Sequence, residues 1–104
     1  MLRYHTTIRA ANSADSGVLV ELADASQARR LHGRVLIAEQ DDQRPIAAIE
    51  VATGAVIADP SAASAPVVRA VTLLRRHRYL VLRQAGGGAQ TRSLFRREAA
   101  RLAA

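Results

Sequence analysis

The sequence predicts an α+β domain in which a small, mostly antiparallel sheet carries helices packed on it. Three observations predict it. Short apolar or β-branched runs are punctuated by turn residues, two longer stretches show helical apolar spacing, and 104 residues is the length of one domain. An apolar share of 49% is ordinary for a folded chain. Ala and Val dominate that share, and the aromatics are only Tyr4, Tyr79 and Phe95. Such a core packs thin layers closely and offers few large anchors for stacking a base or a sugar.

The first strand is expected over 4–10, which alternates and contains Thr6-Thr7-Ile8. Asn12-Ser13-Ala14-Asp15 supplies an N-cap and an acidic first turn for a helix near 14–31. Its apolar stripe runs through Val18, Leu22 and Ala25, widened by Leu19 and Ala23, and Gly33 is placed to end it. Strands are expected next near 34–40, 45–51 and 55–59, separated by Asp41-Asp42-Gln43 and by Thr53-Gly54. Asp59-Pro60 stops the last. These strands are apolar on both faces, so both faces should be covered, by the first helix and by the chain beyond the last strand.

Ser64 is an N-cap candidate, with Pro66 tolerated in the first turn of a basic amphipathic helix near 64–84. Val67, Ala70, Val71, Leu74 and Val81 share one side of its wheel with Val68. Arg69, Arg76 and Arg83 fall together on the other. Arg75, His77 and Arg78 interrupt the apolar side, and the alternative is a helix ending near Arg76 with a strand over 79–82. Gly86-Gly87-Gly88 marks a break, and 91–102 reads as a short C-terminal helix. The domain is thus expected over 1–84, with 85–104 a Gly-rich break and basic segment.

Charge is divided unevenly. Residues 1–60 carry six Arg and eight acidic groups, a balance of −2, whereas 61–104 carry nine Arg and Glu98 alone, a balance of +8. All fifteen basic residues are Arg, which a GC-rich codon bias also produces. A near-neutral body joined to a cationic end favours anionic surfaces or serves solubility. Candidate anion-binding residues are Arg69, Arg76, Arg83, Arg92, Arg96 and Arg97, facing nucleic acid or an anionic lipid surface. A solvated helix face explains the same residues without a ligand.

Other chemistry finds little footing. With no Cys there is no disulfide, thiolate metal site or thiol nucleophile. His5, His32 and His77 fall on separate elements without a ligand partner at helical spacing, so no metal is expected. No Gly-x-Ser-x-Gly elbow occurs. Asp41 and Asp42 read as solvated turn residues, while Glu50, interrupting an apolar strand, is expected at a sheet edge or beside an Arg. No apolar run approaches the ~20 residues of a spanning helix. No signal-like segment opens the chain, so the expectation is a cytoplasmic protein without a transmembrane segment.

The stretch Thr7-Ile8-Arg9-Ala10-Ala11-Asn12-Ser13-Ala14-Asp15 resembles the opening strand and first-helix cap of the GNAT-type N-acetyltransferases. Residues 34–42, with Arg44-Pro45-Ile46-Ala47-Ala48-Ile49 after them, are similar to that family's second and third strands. Together they cover roughly the N-terminal half of such a fold, and are similar also to small uncharacterised actinobacterial proteins. The resemblance implies acetyl-CoA as a cofactor. Its pyrophosphate loop, R/Q-x-x-G-x-G/A, would fall on Arg83, Gly86 and Gly88. A linker reading of the Gly triplet stands beside it. No catalytic residue is assigned. The expected role is a non-catalytic accessory or protein-interaction domain, with a protein partner or a second copy completing it. Electrostatic binding of nucleic acid or anionic lipid is the alternative, and a degenerate acetyl-CoA binder a further one.

Overall fold

The computed structural model describes residues 5–41 and 44–86. The chain runs through β1 (Thr6–Ala10), a 3-10 turn (Ser13–Asp15), α1 (Ser16–Ala25), β2 (Val35–Gln40), β3 (Arg44–Glu50), β4 (Val56–Ala58) and α2 (Ser64–Gly86). The strands pair antiparallel in the order β1-β2-β3-β4, which is the expected α+β class.

Successive strand residues point to opposite faces, and here each face meets a helix. Val35 and Ile37 of β2, Ala48 of β3 and Ile57 join Leu22 and Ala23 of α1 in one apolar cluster. Leu36, Ala38, Ala47, Ile49 and Val51 join Ala70 and Leu74 of α2 in another. This is why the strands read as apolar on both sides. Ala23 of α1 and Ala70 of α2, the latter beside the equally buried Leu74, are fully buried, and their small side chains let backbone layers approach closely.

A bulge sets the register of the central pair. Ala38 faces Ala47, but Glu39 faces Pro45, so Ile46 is the extra residue on β3. Ile46 is fully buried in the cluster beneath α2. Pro45, which has no N–H to give a ladder, sits where the ladder is already interrupted.

The first helix is shorter than its periodicity predicts. It ends at Ala25, not near residue 31, and Gly33 lies in the loop ahead of β2. The stop is a Schellman motif built on a residue that rarely makes one. Gln27 takes φ 53, Ala28 N–H donates to the Ala23 carbonyl at 2.9 Å, and Gln27 N–H donates to the Asp24 carbonyl at 3.1 Å. The Ser26 hydroxyl adds a bond to the Leu22 carbonyl at 2.8 Å. Ahead of α1, Asn12 and Asp15 form a capping box on the 3-10 turn that leads into it. Ala14 N–H donates to Asn12 Oδ1 at 2.9 Å, and Asn12 N–H donates to Asp15 Oδ2 at 2.7 Å.

The second helix is continuous through 79–83, so the strand alternative over 79–82 is not what forms. It begins one residue earlier than its cap candidate implies. Ser64 is already helical, and the Ala63 carbonyl accepts the Val67 N–H at 3.3 Å. At 1.5 Å per residue its 23 residues extend about 34 Å. Of the residues expected to interrupt its apolar side, Arg75 and His77 are exposed and only Arg78 turns inward. Arg78 Nε donates to the Val51 carbonyl at 2.7 Å and closes off the end of β3. Its guanidinium passes over Gly54, where an added Cβ would come within 3.3 Å, and Gly54 itself holds φ +80. The expected C-terminal helix over 91–102 lies outside the described residues.

Candidate anion-binding face

The core-facing side of α2 is fixed by Ala70 and Leu74, with Val71 and Val81 packed beside them. The other side of the wheel is consequently turned to solvent. Arg69, Arg76 and Arg83, spaced by seven residues, are all exposed there, and Arg75 joins them. Tyr79 stands among them at 60% exposure, with Val68 at 65%. At 100° per residue, Arg75, Arg76, Leu82 and Arg83 are the helical neighbours of Tyr79, four before, three before, three after and four after it. Leu80 and Leu82 are exposed on the two flanks of this band, about 160° apart.

Electrostatically the helix is one-signed. Between Ser64 and Gly86 it carries five Arg and no Asp or Glu. Among the described residues, the ion pairs involve only Arg9 and Arg44, never an α2 arginine. Of the other sequence-predicted anion ligands, Arg92, Arg96 and Arg97 lie outside the described residues. So does Gly88 of the coenzyme loop, whereas Arg83 and Gly86 are helical. Arg75 and Tyr79 are members of the face that the sequence pattern alone does not assign. The available signal is their i to i+4 spacing, which puts both on the solvent side once Ala70 and Leu74 define the inner one.

The remaining charged groups are engaged in holding the fold. Arg9 grips Asp15 with two parallel bonds, Nη1 to Oδ2 at 2.7 Å and Nη2 to Oδ1 at 2.6 Å, and its Nε reaches Glu39 Oε1 at 2.6 Å. Arg9 faces Ile37 and Glu39 faces Thr7 across β1 and β2, so Arg9 and Glu39 are diagonal neighbours on the α1 side. The Arg9 guanidinium, helped by the Asn12 N–H, holds the Asp15 carboxyl down at about 2. The same two carboxylates push the Arg9 pKa up from its ordinary value.

Glu50 is not at a sheet edge, since β3 is an inner strand, and Arg29 acts on its carboxylate only through its charge, the hydrogen bonds coming from other donors. It accepts the His32 N–H at 2.6 Å and the Thr53 hydroxyl at 2.5 Å, tying the 26–34 loop to the end of β3. The Thr53 and His32 donors lower its pKa. Asp59 accepts from Ser61 N–H and Oγ at 2.9 and 2.7 Å and pairs with Arg44 at 3.2 Å, and its pKa is likewise lowered, first by Ser61. Asp41 is exposed and accepts the His5 N–H. Asp15, Glu50 and Asp59 are held ionised by donors, the opposite of a pair whose pKa values are split for acid–base work.

Two shallow clefts flank α1. One of about 190 Å³ is lined by Leu19, Arg30, Leu31 and His32, the other of about 310 Å³ by Val18, Glu21, Leu22, Pro45 and Asp59. Ser16 also lines the first with His32, but its hydroxyl donates to the Ser13 carbonyl at 3.1 Å and no hydrogen bond joins it to the imidazole among the described residues. Among the described residues no three His or acidic side chains group to hold a metal, and no helix is long and apolar enough to cross a membrane. No protein-family model, curated protein or solved structure matches the chain.

Proposed function

We propose that the chain is a non-catalytic interaction domain that attaches to a polyanionic partner through the outer face of α2. The observation that carries this reading is the contrast in arginine use. Arg9 and Arg44 have carboxylate partners, while the four exposed arginines of an acid-free helix have none among the described residues. Arginine forks with no internal acceptor match phosphate, sulfate or carboxylate oxygens bidentately. The remaining sequence, 87–104, adds four Arg against Glu98, the same sign. Such a face does not favour a second copy of itself, because arginine would meet arginine.

The acetyl-CoA reading has less support. A pyrophosphate loop needs free backbone N–H groups between a strand and a helix. Residues 79–86 are instead the end of α2, where helical N–H groups already serve carbonyls four residues back. Retention of the full chain on immobilised polyphosphate tests the proposal. Binding at low salt that is released by salt, and is lost in an Arg76→Ala/Arg83→Ala variant, is the expected outcome. A thermal shift with coenzyme A and none with polyphosphate would replace it with the coenzyme reading.

A further inference from the structure

We infer that the polyanion taken by this face is single-stranded nucleic acid, with Tyr79 stacking on a base while Arg75, Arg76 and Arg83 hold the phosphates on either side. The inference rests on the anion-binding reading above and adds the ligand class. A large aromatic is rare here, one of three in the chain. Although cores ordinarily take up such rings, this one stands 60% exposed. Three of its four neighbours at three and four residues along the helix are cationic. Arg75 and Arg83 are eight residues apart, about 12 Å along the axis, with the ring between them. Cationic groups that track a backbone around a ring that stacks a base are the two elements of sequence-tolerant single-strand binding.

The apolar neighbours of the band decide against a membrane. An interfacial helix lays a continuous apolar stripe into the bilayer. The stripe of α2, Ala70, Leu74 and Val81, is packed on the sheet instead. Of what it leaves outside, Leu80 and Leu82 are divided by the arginine band, and Val68 stands twelve residues before Leu80, about 18 Å away along the axis, so the three do not join into one surface. A duplex satisfies the arginines but keeps its bases stacked inside, giving Tyr79 nothing to cover.

The test compares an unstructured single-stranded oligonucleotide, the same sequence as a duplex, polyphosphate, and vesicles containing phosphatidylserine, each with the full chain and with Tyr79→Leu and Tyr79→Phe variants. The exposure of Tyr79 makes both variants compatible with the fold, and circular dichroism verifies it. Expected is single-strand binding that falls about 5- to 100-fold in Tyr79→Leu and is retained in Tyr79→Phe, with polyphosphate binding unmoved by either. Equal single-strand affinity of Tyr79→Leu and the natural chain would overturn the inference while leaving the anion-binding face standing. So would a preference for duplex or vesicles over the single strand. Failure to bind polyphosphate and oligonucleotide alike at low salt would remove both.

Discussion

The two ends of this molecule use arginine in opposite ways. At the β1–α1 end, Arg9 closes a network with Asp15 and Glu39 in which its three guanidinium nitrogens each have a carboxylate acceptor. On α2, Arg69, Arg75, Arg76 and Arg83 stand in solvent on a helix without an acidic residue. The first arrangement orients a strand against a helix cap and is complete in itself. The second contributes little to holding the fold and presents its hydrogen-bond donors to solvent. Arginine count alone would rank the two regions by charge. Partnership ranks them by role.

Substitutions that separate the roles should fall on different measurements. The largest stability effect is expected beneath α2, at Leu74, which is fully buried. Leu74→Ala should cost about 2–5 kcal/mol in urea unfolding, as large-to-small core changes do. A loss under about 1 kcal/mol would mean that α2 is not anchored as described. Next comes the network. Arg9→Met strands Asp15 and Glu39 without their partner and should cost roughly 1–3 kcal/mol, below the fully buried case because Arg9 is partly exposed.

The same network predicts an acid response. Asp15 titrates near 2 in the folded chain against an ordinary 3.8. Its stabilisation is therefore complete above about pH 4 and is lost as pH falls through about 2. Urea midpoints measured between about pH 5 and 2 should drop, and Asp15→Asn should flatten the part due to this carboxyl. An unchanged slope in that variant would detach Asp15 from the acid response.

Smaller effects are expected at the turns. Gly54→Ala imposes a side chain at φ +80 beside the Arg78 guanidinium and should cost about 1 kcal/mol or more. Gln27→Gly should act in the other direction, stabilising by about 0.5–1 kcal/mol, because the left-handed cap conformation is strained for any residue with a Cβ. Smallest of all is the stability effect of Arg76→Ala/Arg83→Ala, expected within about 0.5 kcal/mol, as for surface changes generally. A large loss there would make the outer face structural after all.

The legibility of each feature in the sequence depends on how local its signal is. The four strands and α2 are legible because short apolar or β-branched runs, turn residues and apolar spacing at the helical period are written in neighbouring positions. The end of α1 is not, since Gln27 does at the cap what Gly usually does, and Gly33 offers a more conventional stop. Glu50 and Arg78 mislead for one reason. Each looks like an interruption of an apolar pattern, and each serves a backbone group far along the chain, His32 N–H and the Val51 carbonyl. The Arg9–Glu39 contact spans 30 residues and depends on the β1–β2 register. The outer band of α2 is half legible. The seven-residue repeat of Arg69, Arg76 and Arg83 marks it, but only the burial of Ala70 and Leu74 shows which side Arg75 and Tyr79 take.

Fluorescence anisotropy of a labelled single-stranded oligonucleotide across a salt series tests the central claim most directly. With the four exposed α2 arginines each neutralising a phosphate, the logarithm of the binding constant should fall against the logarithm of salt with a slope of about −3 or steeper. Arg76→Ala/Arg83→Ala should make the slope shallower by about 1.4 while leaving the urea midpoint in place. A flat salt dependence, or a double variant that binds like the natural chain, would contradict the assignment of the α2 face as the working surface.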